Sequence, residues 1–364
     1  MRRSTRRLFF YSLVLLFAVA GPVLVAYSFG YTYDFSRAQF RQNGGIFVKS
    51  KTPRTSVFLD GTFVKETGII IGSALLTDVS PRRHLVRLEK QGYRAWSKVA
   101  DVKPALVTEF RFAVLIPNPV RPATTTPEEF AKIASPALSP VLLIRDTKGG
   151  IAIRTGGAPK TVAANVHSYG AGGGTVLFVD KNGFLARYDT LQGTTDTVGR
   201  PGFYLTEEAV QFFPSPSGDF TAILDPSGGL FLFSDSAREI KTVAGGVRAA
   251  LFDGEEEKLL IRKEHGIDIL WLKENKFQPF QKAGAQENII TLEEVIKDAA
   301  WFYGDDAHLA FATRDGIFFT EIDGRGGRNT AQISAGPAAE IAADPAVPHA
   351  IFFKKGKTAY RIEL

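Results

Sequence analysis

The chain of 364 residues contains no cysteine, which excludes disulfide bridges, thiolate metal sites and cysteine nucleophiles. Its five histidines form neither an H-E-x-x-H motif nor any other pair four residues apart, so a helical zinc site has no local signature. The chain also lacks the G-x-S-x-G turn and the phosphate-binding P-loop. These absences leave no catalytic, cofactor-binding or metal-binding residue to nominate, and we expect no cofactor.

The sequence also lacks a strong excess of one charge beyond its first residues. Four basic residues fall within residues 1–7 and account for most of the formal net charge of +6. Residues 31–140 hold 16 basic and 9 acidic residues, whereas residues 141–364 hold 24 basic and 29 acidic residues. Because the largest segment is acidic, we expect no phosphate-binding footprint and no nucleic-acid partner.

An uncharged apolar stretch, Leu8–Phe29, is 22 residues long and follows four arginines. As a helix it would extend about 33 Å, enough to cross a hydrocarbon core of about 30 Å. The positive-inside rule places the basic tip, residues 1–7, in the cytoplasm and everything after the stretch outside the cell membrane. A cleaved signal peptide ending at Ala18-Val19-Ala20 is the alternative. The apolar run continues beyond that motif, which favours an uncleaved single-pass anchor.

After a stem at residues 30–43, residues 44–117 have the pattern of a small β domain. Apolar residues alternate with polar ones in short runs separated by turn-forming residues, which predicts strands with one buried face. The alternating residues are Val57 and Leu59, Val86 and Leu88, and Phe110, Phe112 and Val114.

Four stretches of this domain match a family pattern: GIFVKSKTP at Gly45–Pro53, VFLDG at Val57–Gly61, HLVRL at His84–Leu88, and Gly92-Tyr93. With them, residues 44–117 resemble the PEGA domain family, small β-sandwiches of bacterial and archaeal surface proteins. The sequence departs from the family at Gly72–Leu75 and at Pro81-Arg82, where the family has G-x-T-P and P-G turns. The resemblance implies a spacer or interaction module without catalysis.

Several polar and aromatic residues of this domain have two interpretations. For His84 we favour a polar residue that closes a turn over a metal ligand, because no second ligand is spaced near it. For the basic side chains we favour a solvated face over contact with anionic lipid headgroups. Trp96 and Tyr93 are expected in the core or at a strand edge. The basic residues are Arg82, Arg83, Arg87, Arg94 and Lys98.

Residues 118–140 are rich in proline and mark a linker between two domains. Within the linker, the capping box Thr126–Glu129 has proline at the first helical position and predicts a short helix over Pro127–Ile133.

A repeat occupies residues 141–364, and Val210–Val243 is its clearest copy. In six places a glycine closes a turn after an apolar run, with a mean spacing of about 41 residues, which is typical of four-stranded propeller blades. We predict a β-propeller with six blades; five or seven blades and a β-sandwich array are the alternatives. The glycines are Gly149, Gly183, Gly228, Gly266, Gly316 and Gly356.

The ends of the repeat are incomplete, so closing the ring requires a borrowed strand, which we predict from Phe130–Leu138. Phe213–Gly218 and its weaker echoes resemble the TolB-like or WD40-like propeller class. The Gly-His and Trp-Asp pairs of true WD40 repeats are absent. An enlarged interval at Gln281–Glu293 is expected to emerge as a loop on one rim.

Polar turns of the repeat offer weak metal-site patterns. Asp253 with Glu255–Glu257, and Asp323–Gly326, could bind Ca²⁺, but neither has EF-hand spacing, and solvated turn charge is favoured. Gly170–Gly174 imitates a phosphate loop but precedes a strand, which favours a hairpin turn. For Trp271 and Trp301 we favour core packing over a carbohydrate platform.

These observations favour a membrane-anchored extracytoplasmic scaffold that presents a propeller to a protein or polysaccharide of the cell envelope. The alternative is an extracytoplasmic propeller hydrolase or lyase, whose carboxylates would meet at the axial mouth and leave no linear motif. Enzymatic activity is therefore left open and is the less favoured of the two.

Overall fold

The computed structural model describes residues 3–34, 39–134, 142–145, 149–154, 159–338 and 340–364. Apart from one long and one short helix, these residues form β-strands joined by turns. The prediction of a mostly β protein with one N-terminal apolar helix is confirmed. The chain divides into two compact units. The first unit comprises residues 1–119, 323–329 and 364, and the second unit comprises residues 120–322 and 330–363.

Helix α1, Arg3–Ser28, contains most of the apolar stretch seen in the sequence. Its Thr5–Ser28 portion is long and apolar enough to cross a membrane, and none of it is buried within the chain. The hydroxyl groups of Ser12 and Ser28 donate to the backbone oxygens of Leu8 and Val25 at 2.8 and 2.7 Å. These bonds satisfy the polar side chains without water. Helix α1 therefore has the properties of a membrane anchor or of a signal sequence.

The predicted stem contains a hairpin rather than an extended segment. Strands β1, Tyr31–Asp34, and β2, Gln39–Gln42, pair antiparallel. The backbone N–H of Asn43 donates to the backbone oxygen of Gly30 at 2.7 Å. The chain therefore returns to the end of α1 before the next strand begins.

The remaining strands of the first unit form two sheets that enclose one core. One sheet has the order β6-β3-β9, with β3 and β9 parallel, and the other has the order β5-β4-β7-β8. Both sheets contribute to the core, for example Ile46 from β3 and Trp96 from β8. The strands are β3 Gly44–Ser50, β4 Ser56–Leu59, β5 Thr62–Glu66, β6 Ser73–Val79, β7 Arg83–Glu89, β8 Trp96–Asp101 and β9 Val107–Ala113.

The predicted alternation holds in β4 and β7, where Val57, Val86 and Leu88 are buried. In β9 the prediction is wrong for Phe112, which is exposed, while Ala113 takes the inward position. The cause is a bulge: the register between β3 and β9 shifts beyond Val48, so one extra residue of β9 points outward.

The second unit contains six sheets within the described residues. The first has three strands, β11-β12-β13, and the next four each have four strands in consecutive order. The last sheet has the order β10-β32-β31-β30. The strands up to the fourth sheet are β10 Ala123–Thr125, β11 Leu142–Arg145, β12 Ile151–Arg154, β13 Lys160–Ala163, β14 Val166–Gly172, β15 Thr175–Asp180, β16 Leu185–Asp189, β17 Thr195–Gly199, β18 Gln211–Pro214, β19 Phe220–Leu224, β20 Leu230–Ser234, β21 Glu239–Ala244, β22 Val247–Phe252, β23 Lys258–Lys263, β24 Gly266–Trp271 and β25 Gln286–Thr291. The last strands are β26 Asp298–Trp301, β27 His308–Ala312, β28 Gly316–Glu321, β29 Thr330–Ala335, β30 Glu340–Ala342, β31 Ala350–Lys355 and β32 Thr358–Glu363.

A separate apolar cluster lies between each pair of consecutive sheets from β11–β13 to β26–β29. For example, Ile269 of the fourth sheet shares a cluster with Trp301 and Phe311 of the fifth. The middle strands of the second, third and fourth sheets are buried on both faces because each of these sheets packs against a neighbour on either side. A single sheet of this kind could not cover its own apolar faces, so the sheets are stable only as a stack.

The prediction that Phe130–Leu138 supplies the closing strand is wrong. Phe130 lies in helix α2, Pro127–Ala134, and β10 pairs with β32 instead. The predicted helix is thereby confirmed: the N–H of Glu129 donates to Thr126 Oγ1 at 3.1 Å and caps its first turn. Phe130 and Ile133 are both buried against the last sheet, as an amphipathic helix requires. Residues 135–138 lie outside the described residues.

Candidate functional site

The turns that join the first and second strands of five consecutive sheets contact one another, and we call them the rim turns. They are residues 173–174, 215–219, 253–257, 302–307 and 343–349. A Cβ atom on Gly173 would lie 2.5 Å from Gly218, so the first two turns can meet only because neither carries a side chain there. At the other end of the row, the N–H of His349 donates to the oxygen of Tyr303 at 2.8 Å. Side chains of Ser215, Ser217, Glu256 and Asp306 bond to a neighbouring turn.

Glu256 joins the second and third rim turns. Its carboxylate accepts hydrogen bonds from the hydroxyl groups of Ser215 and Ser217 and from the backbone N–H of Ser217. The Ser215 Oγ–Glu256 Oε2 distance is 3.1 Å. Glu256 is buried although it lies in a turn rich in acidic residues. Its carboxylate is therefore a structural acceptor and not a free ligand.

Asp253 forms a buried ion pair with Lys258. Asp253 is fully buried, and its Oδ2 lies 2.6 Å from Lys258 Nζ. Its Oδ1 accepts the backbone N–H groups of Glu257 and Lys258 at 2.8 and 2.9 Å. Lys258 Nζ also lies 5.3 Å from the ring centre of Trp271 and 5.9 Å from that of Trp301. The prediction of solvated turn charge is wrong for Asp253 and Glu256, because the neighbouring sheets enclose them.

Asp306 approaches the same pair from the fourth rim turn. Its Oδ1 lies 3.4 Å from the N–H of Gly254. Burial first, and the negative charge of Asp253 second, raise the pKa of Asp306 to about 6. Burial likewise raises the pKa of Tyr303, whose hydroxyl donates to the oxygen of Phe252 at 3.3 Å. This part of the rim therefore holds a carboxyl group that titrates closer to neutral pH than usual.

His308 completes the polar groups of this region. Its Nδ1 lies 2.8 Å from Asp305 Oδ2, and its ring stacks on Phe319 with centroids 5.0 Å apart. Among the described residues, no group of three or more His, Asp or Glu side chains is placed to hold a metal ion. The rim turns thus bring together acidic residues that the sequence had suggested for Ca²⁺, but the carboxylates of Asp253 and Glu256 are bonded to protein groups.

In the first unit, a cavity of about 530 Å³ opens between β5 and β6. His84 at its wall is buried, with Nδ1 2.8 Å from Asp60 Oδ2 and Nε2 2.7 Å from the backbone oxygen of Ser80. Burial acts to raise the pKa of Asp60, but hydrogen bonds from Leu85 N–H, His84 and Arg82 outweigh it and hold the pKa below its usual value. His84 therefore ties two turns together, as its interpretation as a turn-closing residue predicts.

The prediction of a solvated basic face is wrong for Lys98. This side chain is 1% exposed, and its Nζ donates to the backbone oxygen of Asp323 at 2.6 Å and lies 3.7 Å from Asp323 Oδ2. Arg325 bonds to Asp323 Oδ2 and to the backbone oxygen of Glu109, both at 2.7 Å. Burial acts to raise the pKa of Asp323, but the bond to Arg325 and the Lys98 charge outweigh it and lower that pKa.

Residues 323–329 also cover the backbone edge of β8. The N–H of Val99 donates to the oxygen of Gly326 at 3.1 Å, and the side chain of Asn329 donates to the oxygen of Ser97 at 3.1 Å. A Cβ atom at Gly326 would lie 2.0 Å from the oxygen of Val99, so the close approach requires glycine. This segment closes a sheet edge that would otherwise be open, and the carboxylate of its Asp323 is bonded to Arg325.

The second unit holds two phenylalanines in solvent on one loop, Leu272–Ala285, which we call the Phe loop. Phe277 is 58% exposed and Phe280 is 69% exposed. Asn275 and Gln281 exchange two backbone hydrogen bonds, of 2.8 and 3.2 Å, which close the tip of the loop. The side chain of Asn275 donates to the oxygen of Pro279 at 2.8 Å. The tip is therefore built by its own bonds and not by burial of its aromatic rings.

The rim loop predicted at Gln281–Glu293 lies earlier in the chain, at the Phe loop. Gln286–Thr291, inside the predicted Gln281–Glu293, is strand β25, which pairs with β24. The polar residues Gln286 and Asn288 interrupt the apolar pattern of this strand, so the sequence does not reveal it. Both are accommodated in the sheet because their side-chain amides donate to Asp268. The enlarged interval lies before the strand. Lys273, Lys276 and Lys282 are exposed on the loop.

The structure also places the other residues considered in the sequence. Trp271, Trp301 and Trp96 are buried, which confirms core packing. Gly173-Gly174 is the hairpin turn between β14 and β15, which confirms the interpretation of the glycine-rich stretch. In the first unit the exposed turn Ile69–Ile71, which sequence patterns did not indicate, carries three apolar side chains, and Ile70 is 96% exposed.

No protein-family profile and no curated protein sequence matches the chain. Among solved structures, the extracellular domain of BT4673 from B. thetaiotaomicron is 12% identical, with a TM-score of 0.38 over 67% of this chain and 40% of that one. The tricorn protease is 11% identical, with a TM-score of 0.44 over 82% of this chain and 35% of that one. The β-propeller domain of Myceliophteria thermophila Cps50 (Swd1) is 11% identical, with a TM-score of 0.35 over 62% and 93%. The chain thus spans less than half of the BT4673 and tricorn structures.

Proposed function

We propose that this chain is a single-pass membrane protein that presents a six-bladed β-propeller outside the cytoplasm to a protein or polysaccharide of the cell envelope. The order of the sheets in the second unit supports the propeller, since five of the six consist of consecutive strands and most pack on the next. A ring of six such sheets would bury both faces of each. The pairing of β10 with β32 supports closure, because a strand from the start of the unit completes its last sheet.

The membrane part of the proposal is supported by α1, which is apolar and exposed along its length. Four arginines precede its apolar stretch, Leu8–Phe29, so we assign its N-terminal end to the cytoplasm. In this arrangement residues 44–117, the PEGA-like domain, act as the spacer next to the membrane.

The observation that carries the binding role is the Phe loop. Exposed aromatic side chains held by a bonded loop are typical of contact surfaces, because rigid aromatic groups bind at a low entropic cost. The carboxylates of Asp253 and Glu256 in the rim turns are bonded to other groups of the protein. We therefore assign the contact to Phe277 and Phe280 rather than to the rim.

Site-specific photocrosslinking in cells tests this assignment. A photoreactive phenylalanine analogue replaces Phe280 in one strain and Leu191 in the other, because Leu191 is 94% exposed on the same unit. We expect a discrete crosslinked product from position 280 only, and its yield should fall when Phe277 is also changed to Ser. A protease-sensitive band identifies a protein, and a protease-resistant ladder identifies a polysaccharide. Equal products from both positions, or none from 280, contradict the assignment.

A further inference from the structure

Aromatic residues continue from the last turn of α1 into both strands of the β1–β2 hairpin. Tyr27, Phe29, Tyr31, Tyr33 and Phe40 are each between 42% and 74% exposed. The rings of Tyr33 and Phe40 meet edge to face across the hairpin, with centroids 5.1 Å apart. The five side chains leave a large apolar area uncovered by the part of the chain that the structure describes.

The hairpin is held at the end of α1 by two bonds. The N–H of Asn43 donates to the oxygen of Gly30 at 2.7 Å, and the side chain of Gln42 donates to the oxygen of Phe29 at 3.1 Å. Strand β3 begins at Gly44, the residue after Asn43. No extended spacer therefore separates α1 from the first strand of the core of the first unit.

The length of α1 fixes the depth of these aromatic residues in a bilayer. A helix rises 1.5 Å per residue, so about 20 residues cross a hydrocarbon core of about 30 Å. Arg7 is the last charged residue before the apolar stretch, and counting from Leu8 places the far edge of the hydrocarbon near Tyr27. Phe29 and the hairpin that follows then lie at the level of the lipid headgroups.

We propose that the β1–β2 hairpin is a lipid-binding element, in which Tyr31, Tyr33 and Phe40 lie in the headgroup region of the phospholipid bilayer that α1 crosses. Tyrosine is enriched at this depth because its ring is apolar and its hydroxyl group bonds to water and headgroups. The exposed rings follow directly on the anchor, and we therefore assign lipid as the partner that they contact. The hairpin thereby holds the start of β3 at the membrane surface. The inference rests on the proposed role of α1 as the anchor.

Fluorescence quenching on the full chain tests the inference. Because the chain has no cysteine, a single introduced cysteine carries one environment-sensitive label. Three variants are reconstituted into phosphatidylglycerol–phosphatidylcholine vesicles: Phe40→Cys in the hairpin, Leu16→Cys in α1, and Leu191→Cys in the second unit. Nitroxide lipids quench either at headgroup depth or in the middle of the acyl chains.

We expect the label at position 40 to be quenched at least about threefold more by the headgroup nitroxide than by the deep one. The label at 16 should show the reverse, and the label at 191 should be quenched by neither. Tyr33→Cys, which leaves Phe40 in place, should repeat the result and guards against a local effect of removing one ring.

The outcomes separate this inference from the proposed function. A label at 40 that escapes quenching as completely as the label at 191, while 16 is quenched from the deep position, overturns the lipid-binding hairpin and leaves the anchor intact. Failure to quench position 16 overturns the anchor itself. A label at 40 that is shielded only at high protein density and by no lipid quencher indicates a second copy of the chain and also overturns the inference.

Discussion

The rim turns of the second unit carry acidic residues that the fold buries, whereas the Phe loop of the same unit carries aromatic residues that the fold exposes. In the rim, Asp253 and Glu256 are enclosed by neighbouring sheets and bonded to Lys258, Ser215 and Ser217. In the loop, Phe277 and Phe280 face solvent while backbone bonds at Asn275 and Gln281 keep the tip in shape. The comparison teaches that the buried charges of the rim turns maintain the fold, whereas the two aromatic side chains of the Phe loop are exposed to solvent.

The largest effect on stability is expected from Asp253→Ala. This change leaves the ammonium group of Lys258 buried without its carboxylate, which costs about 3–5 kcal/mol in the free energy of unfolding. Denaturant unfolding of the full chain in detergent, followed by tryptophan fluorescence, measures the loss. As a control, the double variant Asp253→Ala, Lys258→Met should recover much of it. A single variant within about 1 kcal/mol of the parent would show that the pair does not support the rim.

A smaller loss is expected from Glu256→Ala, which removes the acceptor of three hydrogen bonds from the second rim turn. Donors left without a partner cost about 2 kcal/mol in the free energy of unfolding. Glu255→Ala is the matched control, because Glu255 is exposed in the same turn and should change stability by no more than about 0.5 kcal/mol. Equal effects of the two changes in the same unfolding assay would contradict the bridging role of Glu256.

Asp306 should make stability depend on pH. Its folded pKa, about 6, lies above its ordinary value of 3.8, so the folded state binds the proton more tightly than the unfolded chain. The resulting contribution is complete below about pH 4 and is lost as the pH rises to about 6; it is on the order of 1 kcal/mol after allowance for partial exposure. The difference in unfolding free energy between the parent and Asp306→Asn should change across this window. A difference independent of pH would contradict the shifted pKa.

The smallest effect on stability belongs to the Phe loop. Changing Phe277 and Phe280 together to Ser should alter the free energy of unfolding by no more than about 0.5 kcal/mol, because both side chains are more than half exposed to solvent. Phe233→Ser, at a buried position of the third sheet, should cost about 3 kcal/mol and serves as the contrast. If the double variant loses as much as Phe233→Ser, the loop is part of the core and the comparison fails.

Local sequence signals predicted much of the fold. The uncharged run of α1, the capping residues of α2 and the glycine turns between strands each depend on neighbouring residues, so their patterns are visible without the structure. The repeat was visible because each sheet uses the same order of turn, buried strand and glycine. The interpretation of Trp301 as a core residue followed from its place in such a strand.

The errors concern contacts between residues far apart in sequence. Phe130 belongs to an apolar run that suits a strand as well as a helix, and only the pairing of Ala123–Thr125 with β32 shows which segment completes the last sheet. In the sequence, Lys98 is indistinguishable from a surface lysine. Its burial depends on Asp323, which lies far away in sequence and contacts its ammonium group. The burial of Asp253 depends on the neighbouring sheet, and local sequence patterns do not show which sheet packs against this turn. For the candidate site, the sequence identified the acidic turns but could not indicate that protein groups already bond to the carboxylates of Asp253 and Glu256.

The bond between Lys98 and Asp323 also affects the order in which parts of the chain can fold during synthesis. The two residues are 225 positions apart, and the segment that closes the edge of β8 is made long after β8 itself. At about 5–20 residues per second, the ribosome needs some tens of seconds to synthesise the intervening chain. During that interval the first unit has an uncovered strand edge, and Lys98 lacks the carboxylate of Asp323. The first unit is therefore completed only after residues 120–322 of the second unit have been synthesised.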